Sequence, residues 1–77
     1  MQDVTTIVDF TYRGTKDGRE YVGEAQSTEY WKCPDGPVNK GALLEMHKAM
    51  WLDRMRNEKG VTVHPGSVRV ANTQFLI

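Results

Sequence analysis

The first part of the chain alternates between apolar and polar side chains, as strands do. Residues 4–13 (VTTIVDFTYR) are mostly β-branched or aromatic, which favours a strand. Successive strand residues point to opposite faces. One face therefore carries the more apolar set, which is Val4, Thr6, Val8, Phe10 and Tyr12. The other face carries Thr5, Ile7, Asp9, Thr11 and Arg13. We predict that the even-numbered face packs against the core.

A hairpin is predicted immediately after this strand. Asp17-Gly18 suits a two-residue type I′ turn, which needs positive φ at both positions, and residues 19–31 then return as a second strand. In this register large side chains face small ones: Phe10 faces Ala25, Tyr12 faces Gly23, and Val8 faces Ser27. A shift of the strand pairing by one residue would move every side chain of the strand to the opposite face of the sheet. The match of large with small side chains therefore supports this register.

A loop and a helix are predicted next. Two prolines and two glycines mark residues 32–41 as a loop, with Asn39 as the candidate N-cap and Asp35 as its rival. Residues 40–59 have helical periodicity and precede Gly60, a favourable residue after a helix. The predicted core-facing arc contains Leu43, Leu44, Met46, His47, Met50, Trp51 and Met55. The opposite side contains Glu45, Lys48, Leu52, Arg56 and Lys59.

The remaining residues predict a third strand with an uncertain phase. Val61 and Val63 suit a short extended piece, and Pro65-Gly66 suits a turn. Residues 67–76 then form the strand. The apolar alternation changes parity beyond Asn72, which leaves two alternatives. A β-bulge near Asn72 realigns the later residues with the core, or Phe75 and Ile77 face outward.

The predicted fold is α+β, with the order β-β-α-β in one domain covering residues 1–77. The helix crosses over the sheet, and the third strand lies antiparallel beside the first, giving the strand order 2-1-3. One helix covers only one face of a three-stranded antiparallel sheet. The other face is therefore expected to be open to water or to a partner.

Composition argues against several classes of function. Ten basic and ten acidic residues give zero net charge, whereas nucleic-acid binders usually carry a basic surplus. Cys33 is the only cysteine, and the chain lacks paired Cys or His at zinc-site spacing, so we expect no metal and no cofactor. The first residues lack the pattern of a signal peptide, and no stretch is long and apolar enough for a membrane helix. We expect a cytoplasmic protein.

The sequence offers no catalytic constellation. His47 lies within the apolar helix arc, where a histidine bonded to a hydroxyl or backbone group is the favoured interpretation over a base or ligand. No carboxylate or nucleophile is spaced to orient it. His64 and Cys33 fall in loops, where a surface histidine and a passive thiol are the simplest interpretations. We therefore expect no enzymatic activity.

The leading functional prediction is a protein-binding module, such as an inhibitor or adaptor of the kind that bacteriophages encode. It would use its open sheet face or an edge strand against a larger protein or a second copy of itself. The predicted partner-binding residues are Ile7, Thr11, Val22, Tyr30, Trp31 and Phe75. The alternative is a small protein that binds single-stranded nucleic acid through two basic groups. These are Arg13, Lys16 and Arg19 at the hairpin tip, and Arg54, Arg56 and Lys59 near the helix end.

Overall fold

A computed structural model describes the whole chain, from Met1 to Ile77. Its elements follow the predicted order, and the α+β class with one helix on a mostly antiparallel sheet is confirmed. The sheet has four strands instead of three, because the short extended piece after the helix also pairs. The elements are β1 (Gln2–Lys16), β2 (Arg19–Cys33), α1 (Lys40–Glu58), β3 (Thr62–Val63) and β4 (Arg69–Leu76), with a 3-10 turn at Pro65–Ser67.

The β1–β2 hairpin has the predicted register. Asp17 and Gly18 form the loop, with φ values of 53° and 74°, as a type I′ turn requires. Pairing runs without interruption from Lys16 opposite Arg19 to Gln2 opposite Cys33. The predicted facing pairs of large and small residues are all present. The even-numbered residues Val4, Thr6, Val8, Phe10 and Tyr12 are buried, so the predicted core face is confirmed.

Both later strands pair with the free edge of β1. β4 runs antiparallel beside residues 5–11 of β1, which agrees with the predicted 2-1-3 order. β3 pairs only with Gly14 and Thr15. A Cβ atom at Gly14 would lie 2.7 Å from the backbone oxygen of Thr62, so the close approach of β3 requires glycine here.

A β-bulge in β4 resolves the phase of this strand. Asp9 pairs with Asn72 while Phe10 pairs with Val70, so Ala71 is the extra residue. The first of the two alternatives is therefore confirmed.

The bulge moves Phe75 to the helix side of the sheet. There Phe75 packs against the small cluster of Val4, Cys33 and Leu43, and the Lys40 ammonium lies 5.5 Å from its ring centroid. The expected position of Phe75 on the open face was wrong, and Leu76 lies there instead, opposite Thr5.

The helix begins as predicted but buries a narrower stripe. The side chain of Asn39 accepts a hydrogen bond from the backbone N–H of Ala42, so Asn39 is the N-cap. The buried helix residues recur every four positions: Leu43, His47, Trp51 and Met55. Met46 and Met50 were predicted in the core but are 52% and 40% exposed. Leu52 was predicted on the opposite side but packs against the main core.

The main core is built from aromatic rings contributed by sheet and helix. Phe10 and Trp51 stack with their ring centroids 4.2 Å apart, and Tyr12 meets Trp51 edge-on at 5.2 Å. Met55 and Val61 complete this cluster at the end of the helix. The core lies entirely between α1 and one face of the sheet, so the other face has no helix to cover it.

Candidate functional site

The uncovered face of the sheet is apolar at one end. There Tyr30 of β2, Thr5 of β1 and Leu76 of β4 form one row across three strands. Ile7 lies in the next row, half-buried between its neighbours. Tyr30 is 79% exposed and Leu76 is 54% exposed. We call Ile7, Tyr30 and Leu76 the apolar patch.

The other end of the same face is polar. Asp9 accepts a hydrogen bond of 3.0 Å from the side-chain amide of Gln26. In the next row, Thr11 lies between Glu24 and Arg69. Val22, which is 77% exposed, stands opposite Arg13 near the hairpin tip. The apolar patch is therefore confined to the end of the sheet near the chain termini.

The structure brings together some of the predicted partner-binding residues. Ile7, Thr11, Val22 and Tyr30 lie on the open face, as their parity requires. Trp31 does not, because its indole N–H donates to Thr6 Oγ1 at 2.9 Å on the helix side. The sequence analysis predicted Phe75 on this face and did not identify Leu76. The parity change beyond Asn72 was the feature that could have revealed it.

Two of the three basic residues near the helix end have carboxylate partners. Arg54 forms an ion pair with Glu29, and Arg56 bonds Asp53 at 3.2 Å. Lys59 is exposed at the C-cap. At the hairpin tip, the exposed residues Lys16 and Arg19 flank the turn. Arg13 and Arg69 line a shallow depression with His64. The two basic groups do not form one surface free of acidic partners.

A buried polar network centres on His47. The ring is fully buried, with Nδ1 2.6 Å from Thr6 Oγ1 and Nε2 2.9 Å from Ser27 Oγ. The predicted interpretation of a histidine bonded to hydroxyl groups is confirmed. Thr6 was assigned to the core on parity alone. That its hydroxyl bonds both Trp31 and His47 could not be predicted, because these contacts depend on tertiary packing.

The direction of these hydrogen bonds bears on the chemistry of Ser27. Trp31 can only donate to Thr6, so the buried Thr6 hydroxyl is satisfied when it donates to Nδ1 of His47. The proton of the neutral ring then lies on Nε2, which donates to Ser27. A ring nitrogen that donates to a serine cannot accept its proton, so His47 does not act as a base toward Ser27 in this tautomer.

Folding stability should fall at acidic pH because of His47. Burial lowers the pKa of His47 below its ordinary value of 6.5; Glu29 opposes this shift and Arg54 adds to it. The unfolded chain therefore takes up a proton below pH 6.5 that the folded chain resists, so the free energy of unfolding falls as the pH drops through this value. For one group, the slope has an upper limit of about 1.4 kcal/mol per pH unit.

Urea denaturation between about pH 7.5 and 5 measures this slope. His64→Gln should retain it, because His64 is exposed in a loop, and His47→Gln should flatten it. A stability of the unaltered chain that does not change over this range would contradict the assignment.

The remaining reactive side chains do not assemble into a site. Cys33 was predicted in a loop, but it is the last residue of β2 and a buried free thiol, because the hairpin pairing continues to Gln2 opposite Cys33. His64 lies 3.4 Å from Glu20 at the surface. No three His, Cys, Asp or Glu side chains converge as metal ligands. The single helix is too polar to cross a bilayer.

Comparison with protein-family models found no match, and comparisons with curated proteins and with solved structures likewise found no significant similarity.

Proposed function

We propose that the protein is a non-enzymatic binding module that engages a larger protein through the apolar patch of its open sheet face. The single observation behind this proposal is the exposure of Tyr30 and Leu76 on a face that no element covers. Protein interfaces are enriched in tyrosine and other aromatic residues, which bury much area at low entropic cost. Ile7 adds an apolar side chain in the next row, on the strand between β2 and β4.

The charges around the patch favour a protein partner over a nucleic acid. The next row beyond Tyr30 holds Asp3 and Lys32, whose charged atoms lie 2.5 Å apart. This rim pair is neutral overall, so it offers no net attraction to phosphate. A polar rim around an apolar centre is typical of protein interfaces. The helix-side residues Trp31 and Phe75 support the sheet from behind and are not part of the proposed contact.

The role that fits such a module is that of an inhibitor or adaptor acting in the cytoplasm. Small phage-encoded proteins that block a host protein are one example of this class. The hydrogen bonds of His47 support a structural role for the buried polar network, because they occupy both ring nitrogens. The single thiol of Cys33 suits a reducing compartment.

Affinity capture with open-face variants tests the proposal. The immobilised chain is incubated with extract of its source organism, and the bound proteins are quantified for each variant. Ile7→Asp places a charge at the centre of the patch, and Tyr30→Ala removes its most exposed ring. Each should lower capture of a specific protein by at least about 10-fold, the loss expected from a hot-spot residue.

A matched control lies on the opposite side of the molecule. Met50→Ala removes a partly exposed apolar side chain from α1 and should leave capture unchanged. Circular dichroism establishes that each variant is folded. If folded Ile7→Asp and Tyr30→Ala variants capture the same proteins in the same amounts as the unaltered chain, the open face is not the binding surface.

A further inference from the structure

The outer edge of β2 is a long unpaired strand edge. β2 ends the strand order of the sheet, and its pairing with β1 runs through all of Arg19–Cys33 without a bulge. The two-residue turn makes Lys16 and Arg19 a mutually bonded pair. Odd-numbered residues of β2 therefore bond β1, and even-numbered residues from Glu20 to Lys32 direct their N–H and C=O groups outward. No hydrogen bond within the chain uses these outward groups.

The two edges of the sheet differ in how they are protected. Native edge strands usually avoid association by being short, by bulges or by proline. β4 is short and carries the bulge at Ala71. β2 is fifteen residues long and has neither a bulge nor a proline. The edge of β2 is therefore the one suited to pair with another strand.

We propose that β2 pairs antiparallel with β2 of a second copy of this chain, about a two-fold axis at Gln26. Gln26 is the midpoint of Arg19–Cys33, so this register pairs the whole strand. In this register, even-numbered residues of β2 stand opposite even-numbered residues of the partner's β2. Their outward N–H and C=O groups therefore bond each other. An isologous contact of this kind closes as a dimer and leaves the protected β4 edges outside.

The side chains in this register are complementary. Glu20 faces Lys32 of the partner subunit, and Val22 faces Tyr30 of the partner subunit. On the helix side, Tyr21 faces Trp31 of the partner subunit. Opposite charges and aromatic–β-branched pairs are the cross-strand contacts that stabilise antiparallel sheets. Val22 and Tyr30 are 77% and 79% exposed in the single chain, so both have area to bury.

Other two-fold registers fit less well. An axis at Ala25 would place Glu20 opposite Tyr30 of the partner subunit, and an axis at Ser27 would place Val22 opposite Lys32 of the partner subunit, so neither register forms a pair of opposite charges. An axis at Glu24 would place two Glu24 carboxylates opposite each other, and like charges in facing positions destabilise a sheet. An axis at Thr28 would leave Glu20 and Val22 without partners. The intrachain contacts of Lys32 with Asp3 and of Glu20 with His64 do not block the Gln26 register, because exposed ion pairs are weak.

A groove also lies along the proposed contact. This groove of about 240 Å³ lies between β2 and the helix, with Ser27, Met55 and Lys59 in its lining. Since the two-fold axis is perpendicular to the sheet, both helices lie on the same side, and helix-side groups of the partner's β2 approach this groove. The two open faces then form one continuous surface, an arrangement that does not depend on the proposed binding of a larger protein.

Sedimentation equilibrium tests the proposal on the full chain. The unaltered protein should have twice its 8.8 kDa mass at about 100 μM. Gln26→Pro removes the outward N–H at the axis and leaves the backbone hydrogen bonds between β2 and β1 intact, so it should weaken the dimer by at least about 100-fold. Gln26→Ala keeps that N–H and should remain dimeric. A monomeric unaltered chain, or a folded Gln26→Pro dimer, would overturn the proposal.

A charge exchange provides a test that does not depend on proline. Glu20→Lys and Lys32→Glu each place like charges in two symmetric facing positions, and each should weaken the homodimer by about 10-fold. An equimolar mixture of the two variants should dimerise as tightly as the unaltered chain, because both facing pairs are again opposite in charge. If the mixture dimerises no better than either variant alone, the register is wrong. Ile7→Asp should leave the dimer intact, which separates this proposal from the proposed function.

Discussion

Trp51→Ala is expected to lower the free energy of unfolding by about 3–5 kcal/mol, the range observed for large aromatic deletions in cores. Trp51 is 4% exposed, stacks on Phe10 at 4.2 Å and meets Tyr12 edge-on. The sheet and the single helix have no second layer that could collapse into the cavity. A domain of this size has a total stability on the order of 5–10 kcal/mol, so the variant should be only marginally folded.

The adjacent helix residue provides the control for Trp51→Ala. Met50→Ala also shortens an apolar side chain to alanine, but Met50 is 40% exposed, and alanine has a high helix propensity. Its effect should remain below about 1 kcal/mol. Urea denaturation monitored by far-ultraviolet circular dichroism gives both values. Similar losses for the two variants would show that the aromatic stack does not dominate the core.

The hairpin could be predicted from the sequence because its determinants are local. The Asp17-Gly18 turn fixes the loop, and a two-residue loop fixes every facing pair along both strands. Strand parity then assigned Ile7 and Tyr30 to the open face without any knowledge of the helix. The part of the candidate site that lies on β1 and β2 therefore followed from the sequence.

The part of the site on β4 could not be predicted, because it depends on a bulge. The packing of β4 against β1 and the helix decides which residue forms the bulge. The sequence showed only that the alternation of apolar residues changes phase beyond Asn72. One extra residue at Ala71 exchanges the positions of Phe75 and Leu76. Phe75 then fills space beside Leu43 and Val4, which only the folded chain creates.

The helix and Trp31 show a second limit of prediction from the sequence. Periodicity alone gave an arc wide enough to include Met46 and Met50, but a single helix on a narrow sheet contacts it along one stripe. Trp31 was predicted to be one of the partner-binding residues because it stands at the end of a strand, beside a loop. Its indole N–H is instead directed to Thr6, a contact set by the buried polar network and not by local sequence.

Thr6→Val is expected to cost about 2–4 kcal/mol of folding stability although it leaves the side-chain shape almost unchanged. Thr6 is fully buried, and its hydroxyl accepts from Trp31 Nε1 at 2.9 Å and bonds His47 Nδ1 at 2.6 Å. Valine would leave Nδ1 of the fully buried His47 without a partner, and it would remove the hydrogen bond that the half-buried Trp31 indole makes within the chain. Each unpaired buried polar group costs about 1–3 kcal/mol, whereas an ordinary hydrogen bond contributes only about 1 kcal/mol.

The neighbouring residue offers the same chemical change on the other face of the strand. Thr5→Val should alter stability by less than about 0.5 kcal/mol, because Thr5 lies on the open face and its hydroxyl makes no hydrogen bond within the chain that would be lost. The difference between the two variants therefore isolates the contribution of the Thr6 hydrogen bonds from the strand propensity of valine. Equal unfolding midpoints for both variants would mean that Trp31 and His47 find other partners when the Thr6 hydroxyl is removed.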